Sequence, residues 1–155
     1  MKPPPSPHPF DDSARRGRQI FESESCGNCH PAPSYSNNRL TPAKGFEPPP
    51  AHVETIRPMR QRVGTDPALT LNTRRGTGYY KVPSLRGLWY HPVFFHDGSL
   101  ASLEDVFDPR RLDDDYVPTG FRGAGIDRRP ILGHQVGLDL TEEERTDLVA
   151  FLKTL

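Results

Sequence analysis

The clearest hydrophobic period lies at the C-terminal end of the chain. Apolar side chains there follow the i, i+3, i+4, i+7 spacing of an amphipathic helix: Leu148, Val149, Phe151, Leu152 and Leu155. Thr141 and Glu144 stand just before this run in the pattern of a capping box, in which each side chain hydrogen-bonds to the backbone of the other residue. The pattern therefore predicts a final helix that begins directly after Thr141.

A second helix is predicted near the N-terminus, over about residues 13–24. Three residues with side-chain oxygens suited to cap its first turn stand at its start: Asp11, Asp12 and Ser13. Gly17 and Phe21 lie four residues apart, so they share one face of this helix. The two ends of the chain are thus its most regular parts.

Periodicity is weak between these helices. Prolines interrupt residues 31–72 repeatedly, and residues 117–138 are again rich in glycine and proline. The regular elements predicted here are a short helix over residues 51–62 and another that starts at Ser102 and stops before Pro109. With 18 prolines and 13 glycines, the chain is expected to have long irregular loops.

Composition changes this picture in one respect. The chain has 155 residues, of which 34% are hydrophobic, and this is a lean supply for a globular core. An apolar cofactor at the centre would help to complete such a core. Residues 1–10 contain five prolines and are predicted to be a flexible lead, whereas residues 11–155 are predicted to form one domain.

Charge restricts the class of partner. The 20 basic residues balance the 20 acidic ones, and nothing in their distribution indicates nucleic-acid binding. No apolar run is long enough to predict a membrane span. One basic cluster stands out: Arg57, Arg60, Arg62, Arg74 and Arg75. It could steer an acidic redox partner protein, or its members could be solvated loop residues with some contacts to a cofactor.

The strongest chemical signal is Cys26-Gly27-Asn28-Cys29-His30, which has the form C-x-x-C-H. This spacing lets both thiols reach the vinyl groups of one porphyrin and places His30 under the iron as proximal ligand. The chain has no other cysteines, which excludes a four-cysteine zinc site, and no βαβ pattern supports a thioredoxin-like dithiol. The motif therefore predicts one haem c, attached covalently through Cys26 and Cys29.

Attachment of this type takes place on the exported side of the bacterial membrane, so a periplasmic or extracellular location is expected. The first residues, Met1-Lys2-Pro3-Pro4-Pro5, lack the apolar segment of a signal peptide. We therefore expect the chain to be a processed protein or a piece of a larger one.

Several short motifs occur in a characteristic order: Lys81-Val82-Pro83-Ser84-Leu85-Arg86, Phe95-His96-Asp97-Gly98-Ser99, Ser102-Leu103-Glu104-Asp105-Val106 and the final helix. From about residue 13 to 155 the chain resembles the C-terminal cytochrome domain of the bacterial dihaem cytochrome c peroxidase family, which includes MauG-like enzymes. The resemblance implies an all-α, class I cytochrome c-like fold with long irregular loops around the haem. It also implies that Gly17 lets the final helix cross closely. In those enzymes this domain holds the electron-transfer haem, and a second haem in another domain handles peroxide.

The sixth iron ligand is where the chain departs from that family. The peroxidases place a methionine soon after the Phe-His-Asp-Gly segment, whereas residues 97–133 contain none. The segment Gly133-His134-Gln135-Val136-Gly137-Leu138 resembles a branch with rubber-oxygenase-like dihaem proteins, in which the corresponding haem has two histidine ligands. His134, with flanking glycines that make its backbone adaptable, is therefore the preferred ligand. Met59, His96 and an open iron site remain alternatives.

Further residues are candidates for contacts with the haem. Aromatic side chains that could pack against it are Tyr79, Tyr80, Trp89 and Phe95; ordinary core positions are the alternative. Arg86 is a candidate for hydrogen bonds with a haem propionate, and an exposed surface arginine is the alternative.

Together these features predict a monohaem c-type cytochrome domain that carries electrons through a low-spin haem held by His30 and His134. A redox partner protein or a neighbouring haem domain would exchange the electrons, and self-association is compatible with this role. One alternative is a catalytic haem domain of peroxidase or oxygenase type with an open sixth site. Others are a domain of a larger dihaem enzyme and a structural or partner-docking module. No residue is predicted to be catalytic.

Overall fold

A computed structural model describes residues 4–73 and 76–155. Its regular structure is mostly helical. Within the described residues the helices are α1 (Asp12–Ser23), α2 (Pro50–Thr55), α3 (Ala68–Asn72), α4 (Leu103–Val106) and α5 (Glu142–Lys153). Three short 3-10 helices span Cys26–Asn28, Leu88–Tyr90 and Pro109–Leu112. The two helices predicted at the ends of the chain are thus present, with boundaries that differ by one residue at most.

The helix ends form as their sequence predicts. An Asp11 side-chain oxygen accepts a hydrogen bond from the backbone N–H of Ala14 at the start of α1. At the start of α5, the Thr141 hydroxyl accepts from the N–H of Glu144, and the Glu144 carboxylate accepts from the N–H of Thr141. The predicted capping box is therefore confirmed.

Helix α1 crosses helix α5 at Gly17. A Cβ atom at Gly17 would overlap with the backbone carbonyl oxygen of Asp147 and press on the side chain of Phe151. The close crossing predicted for this glycine is therefore present. The Phe21 ring packs edge-to-face on Phe151, with 5.4 Å between ring centroids.

The core lies between these two helices and the loops that connect them. Its buried members are Phe21, Leu88, Leu100, Leu103, Val106, Phe107, Ile131, Leu148, Val149, Phe151, Leu152 and Leu155. Cys26 and Phe95 are partly buried and pack against it. The C-x-x-C-H motif is therefore anchored on the core rather than on a surface loop.

A small antiparallel sheet is the main departure from the all-α expectation. Strand β1 (Leu40–Pro42) pairs with strand β2 (Tyr79–Lys81), with Leu40 opposite Lys81. Each strand has only three residues, too few for a hydrophobic alternation to show in the sequence. The pairing closes the long segment between the strands into a loop.

The helix predicted over residues 51–62 is shorter than expected, because α2 spans only Pro50–Thr55. Arg57 has a left-handed backbone conformation, with φ of 49°, directly before Pro58. A proline disfavours helical geometry in the residue before it, and this ends the helix. Arg62 then donates hydrogen bonds of 2.6 Å to the carbonyl oxygens of Ala43 and Phe46.

Arg62 therefore supports the loop instead of standing free in the predicted basic cluster. Arg74 and Arg75 of that cluster lie outside the described residues, as do residues 1–3 of the predicted lead. The described part of the lead contacts α5: the Ser6 hydroxyl donates to the carbonyl oxygen of Lys153, and the Phe10 ring packs on Phe151. The boundary at residue 10 remains a prediction.

A buried carboxylate ties the two crossing helices together. The Asp147 side chain is 6% exposed and accepts hydrogen bonds from the Ser13 hydroxyl and from the guanidinium of Arg16, at 2.6 Å each. The hydrogen bond from Arg16 is the largest influence on the pKa of Asp147, and it holds this pKa below its ordinary value of 3.8. Asp147 therefore remains ionised wherever the protein is folded at neutral pH.

We expect Asp147→Asn to lower the free energy of unfolding by about 1–2 kcal/mol at neutral pH, because charge-assisted hydrogen bonds are lost. Since the pKa of Asp147 is depressed by folding, its contribution is complete above the unfolded-state pKa and disappears as the pH falls through the folded-state pKa. Denaturant titrations should therefore show the two proteins converging as the pH falls below about 4.

Asp12→Asn is the matched control. The Asp12 carboxylate is paired with Arg15 on the same helix but is 83% exposed, so its removal should leave stability nearly unchanged. A constant difference between Asp147→Asn and the unmodified protein across the whole pH range would contradict the assignment.

Candidate haem site

The C-x-x-C-H motif folds into one compact turn directly after α1. The backbone N–H groups of Cys29 and His30 both donate to the carbonyl oxygen of Cys26, at 3.2 and 2.9 Å. Both cysteines are unpaired thiols. Burial raises the pKa of Cys26 to about 11, and burial likewise raises the pKa of Cys29. Two neutral thiols are thus held on one short turn beside the core, as addition to a pair of vinyl groups requires.

The His30 imidazole is buried and oriented by a backbone carbonyl. Its Nδ1 lies 3.1 Å from the carbonyl oxygen of Tyr35. A carbonyl can only accept, so Nδ1 carries the proton and Nε2 keeps its lone pair for a metal. Burial lowers the pKa of His30, although the carbonyl groups of Tyr35 and Pro83 oppose this effect. The neutral imidazole that results is the form that binds iron.

His134 occupies a constrained turn. Its φ is +46°, a left-handed conformation that is uncommon for residues other than glycine. Its N–H donates to the carbonyl oxygen of Val63, at 2.8 Å. The preceding Gly133 has φ of +90°, and a Cβ atom there would overlap with the backbone of Thr65. Glycine at this position therefore permits both the left-handed backbone and the close approach of two loops, and the adaptable backbone remains a prediction.

His134 lies close enough to His30 for the charge of that residue to influence the pKa of His134. Its Nδ1 is buried and has no hydrogen-bond partner among the described residues. Burial lowers the pKa of His134 to about 4, and the next largest cause is the charge that His30 would carry. The fold thus brings His134 within electrostatic range of His30, which directly follows the second of the two free thiols in sequence. This donor set fits a haem c with two histidine ligands.

One cavity adjoins His30, and a second lies near the turn that carries His134. A cavity of about 330 Å³ lies beside His30 and is bordered by Phe21, Tyr35 and Phe151. Another of about 540 Å³ lies beside Phe95, Ile131 and Leu132, next to the turn that carries His134. The walls of both cavities mix apolar with polar side chains, and their aromatic rings would suit the flat faces of a porphyrin.

The other candidates for the sixth ligand have protein partners. The Met59 sulfur lies 3.6 Å from the amide nitrogen of Asn37. The His96 ring stacks on Tyr80, with 4.3 Å between centroids, and its Nε2 lies 3.2 Å from the Tyr80 hydroxyl. His134 differs from both, because its buried Nδ1 is unpartnered in the described structure.

The aromatic candidates separate into two groups. Phe95 packs on the core, and Trp89 is partly buried with an indole N–H that has no partner among the described residues. Tyr80 lies against His96, which borders the larger cavity. Tyr79 instead packs on Phe46, with 5.0 Å between ring centroids, and its hydroxyl lies 3.1 Å from His52 Nδ1. The structure does not place Tyr79 with the others.

Arg86 is exposed and already engaged. Its Nε donates to the carbonyl oxygen of Pro33, at 2.9 Å, and its guanidinium lies over the Tyr35 ring at 5.2 Å. It therefore braces the segment that orients His30. Its contact with a propionate remains a prediction.

One residue of the site was missed by sequence reasoning. Arg111 is fully buried, and its guanidinium donates to the carbonyl oxygens of Gly133 and His134, at 2.8 Å each. Burial lowers the pKa of Arg111 to about 10, so it is a cation at neutral pH. The neighbouring Arg110 is exposed and paired with Asp108. An Arg-Arg pair after a proline gives no sign of which member turns inward.

The chain is similar in sequence to several curated proteins. No family model matches the chain. It is 40% identical over 77 residues to the methylamine utilization protein MauG of Methylorubrum extorquens, a match that covers 49% of this chain and 18% of that protein. It is 27% identical to the cytochrome-c peroxidase IdrP1 of a Pseudomonas species, covering 94% of this chain and 40% of that protein.

Solved structures agree in fold. The diheme peroxidase BthA of Burkholderia thailandensis matches 95% of this chain and 43% of its own length, with a TM-score of 0.51 and 20% sequence identity. The homologues of this chain are therefore MauG and dihaem cytochrome c peroxidases, and the predicted family resemblance is confirmed. The chain spans two fifths or less of the length of these curated relatives. Among the described residues, no helix has the length and apolarity needed to cross a membrane.

Proposed function

We propose that this chain is a c-type cytochrome domain that carries electrons for a second haem domain, as in a larger dihaem enzyme, on the exported side of the membrane. The observation that supports this most directly is His134 itself: its Nδ1 is buried without a partner among the described residues, and it lies within electrostatic range of His30 of the C-x-x-C-H motif. Two histidine ligands leave no position on the iron for peroxide, and this favours a carrier over a catalyst.

Each residue would have its own role in this proposal. Cys26 and Cys29 would hold the haem through thioether bonds, and His30 and His134 would be the ligands of its iron. The Tyr35 carbonyl keeps the His30 ring in one tautomer and orientation. Bound haem supplies one-electron chemistry, with a potential that depends on its axial ligands. Phe95 and the core beside Cys26 exclude water from the site.

The comparisons support the larger enzyme over a free carrier. The peroxidase IdrP1 matches nearly all of this chain with only part of its own length. The chain has a single C-x-x-C-H motif, so a second haem would be held elsewhere. The second candidate is a free monohaem carrier with a separate redox protein as partner. The single C-x-x-C-H motif, taken alone, favours this candidate as much as the first.

Absorption and EPR spectra of the haem-loaded chain test the proposal. We expect low-spin ferric and ferrous spectra that CO and hydrogen peroxide leave unchanged, with no peroxide turnover by this chain alone. A high-spin spectrum together with rapid CO binding would contradict the proposal and would favour a catalytic domain. Cys26→Ala should shift the pyridine haemochrome band to longer wavelength, because one vinyl group stays unreacted; an unshifted band would contradict attachment through Cys26.

A further inference from the structure

The turn that carries His134 is held from one side by a single buried cation. The Arg111 guanidinium donates to four backbone carbonyl oxygens, those of Val106, Ile131, Gly133 and His134. The Arg111 carbonyl in turn accepts from the N–H of Ile131, at 2.6 Å. Three of the four carbonyl groups thus belong to the segment that ends in His134.

We propose that Arg111 is a positioning residue for His134, and that it keeps the imidazole directed at the iron by holding the backbone carbonyl groups on both sides of His134. This inference rests on the proposed role of His134 as ligand.

The hydrogen bonds that Arg111 donates support this role in holding the backbone. A guanidinium has five N–H donors, and Arg111 uses four of them on carbonyl groups. No carboxylate is among the hydrogen-bond partners given for it in the described structure. An arginine buried for an ion pair would face a carboxylate, so this one is placed to satisfy backbone.

The conformation of His134 explains why a clamp is needed. A left-handed backbone at a residue other than glycine persists only where the surroundings determine it. The N–H of His134 is held by Val63, and its carbonyl oxygen by Arg111. With the backbone tied on both sides, the direction of the Cα–Cβ bond of His134 is fixed. The guanidinium also lies 5.3 Å from the centre of the Phe95 ring, and this contact restricts the orientation of the guanidinium plane.

The free-energy cost of burying the Arg111 guanidinium also indicates that it is needed for its hydrogen-bond donors. Taking a guanidinium out of water is expensive, and a leucine or methionine would fill the same volume more cheaply. A methionine there would leave the carbonyl groups of Gly133 and Ile131, which are buried residues, without their donor. The cation is therefore placed for its donors rather than for its volume.

Arg111→Met in the haem-loaded chain tests the inference, with Arg110→Met as matched control. Arg110 lies next in sequence on the same 3-10 helix, but its side chain is 80% exposed. The readout is the CO affinity of the ferrous protein, because CO competes with the sixth ligand and its apparent affinity scales with the open fraction of iron. We expect about a tenfold or larger rise for Arg111→Met and no change for Arg110→Met.

A double-mutant cycle separates positioning from general stability. If Arg111 acts through His134, then Arg111→Met combined with His134→Ala should bind CO no more tightly than His134→Ala alone. Added imidazole should restore a low-spin spectrum to Arg111→Met. CO affinity equal to that of the unmodified protein in Arg111→Met, while His134→Ala binds CO tightly, would overturn the inference and leave the proposed function intact.

Arg111→Lys covers the case in which Arg111→Met does not fold. Lysine keeps the charge but cannot reach the same set of carbonyl groups, so it should give an intermediate rise in CO affinity. If both variants lose haem while Arg110→Met retains it, or if Arg111→Lys matches the unmodified protein, Arg111 is a structural residue and the inference fails. If His134→Ala itself leaves the spectrum unchanged, His134 is not the ligand, and the proposed role of Arg111 fails with that assignment.

Discussion

Replacement of His134 by alanine is expected to convert the haem iron from a low-spin to a high-spin state that binds CO. The reason is that the His134 imidazole is the neutral, buried donor whose pKa is lowered by burial and by His30. Alanine removes that donor, and the constrained turn brings no substitute into its place. Absorption and EPR spectra of the ferric protein, with CO titration of the ferrous protein, measure the change.

His96→Ala and Met59→Leu are the controls for this experiment. Their side chains have protein partners in Tyr80 and Asn37, so both variants should keep the low-spin spectrum. External imidazole should return His134→Ala to the low-spin state. A high-spin spectrum in His96→Ala or Met59→Leu, with His134→Ala unchanged, would transfer the ligand role to that residue.

Gly17→Val is expected to prevent the domain from closing. Its side chain would overlap with the carbonyl oxygen of Asp147, which is backbone of α5 and cannot rotate away. Overpacking of this kind typically costs about 1–3 kcal/mol and here should exceed about 3 kcal/mol, since the helices must separate. The loss should appear in denaturant titrations of the holo-protein and as poor recovery of haem-loaded protein.

Gly17→Ala sharpens the test through the sign of its effect. In an exposed helix, alanine is favoured over glycine by about 1 kcal/mol. At Gly17 even one methyl group meets the same carbonyl oxygen, so we expect destabilisation instead. Gly27→Ala is the control, because no atom lies within 4 Å of a Cβ atom there. Equal stability of Gly17→Ala and the unmodified protein would contradict the close crossing.

Sequence patterns were sufficient for the parts of the fold that rest on local chemistry. The caps at Asp11 and Thr141 and the short helix after Ser102 depend on side chains within three residues of the backbone groups they satisfy. The haem motif is local for the same reason, since Cys26 and Cys29 need only one turn. Such features are visible in any window of about a dozen residues.

The remaining features depend on contacts between distant segments, and the sequence carries little sign of them. The three-residue pairing of β1 with β2 has no hydrophobic period, and it places the buried Tyr79 against Phe46 and His52, apart from the main core cluster. Arg111 looks like any surface arginine until the fold encloses it. His134 was singled out by its glycine neighbours and by a resemblance to rubber-oxygenase-like proteins; that branch assignment remains a prediction.

The crossing of α1 and α5 has a consequence for the order of assembly. Arg16 and Asp147, which meet there, are 131 positions apart in sequence, so α1 lacks its main packing partner until the segment that forms α5 is available. Contacts over such a separation form late, because the intervening chain must first be closed into a loop. We therefore expect the motif directly after α1 to stay accessible in the unfolded chain, so that the proposed attachment of haem to the cysteines would precede closure of the domain.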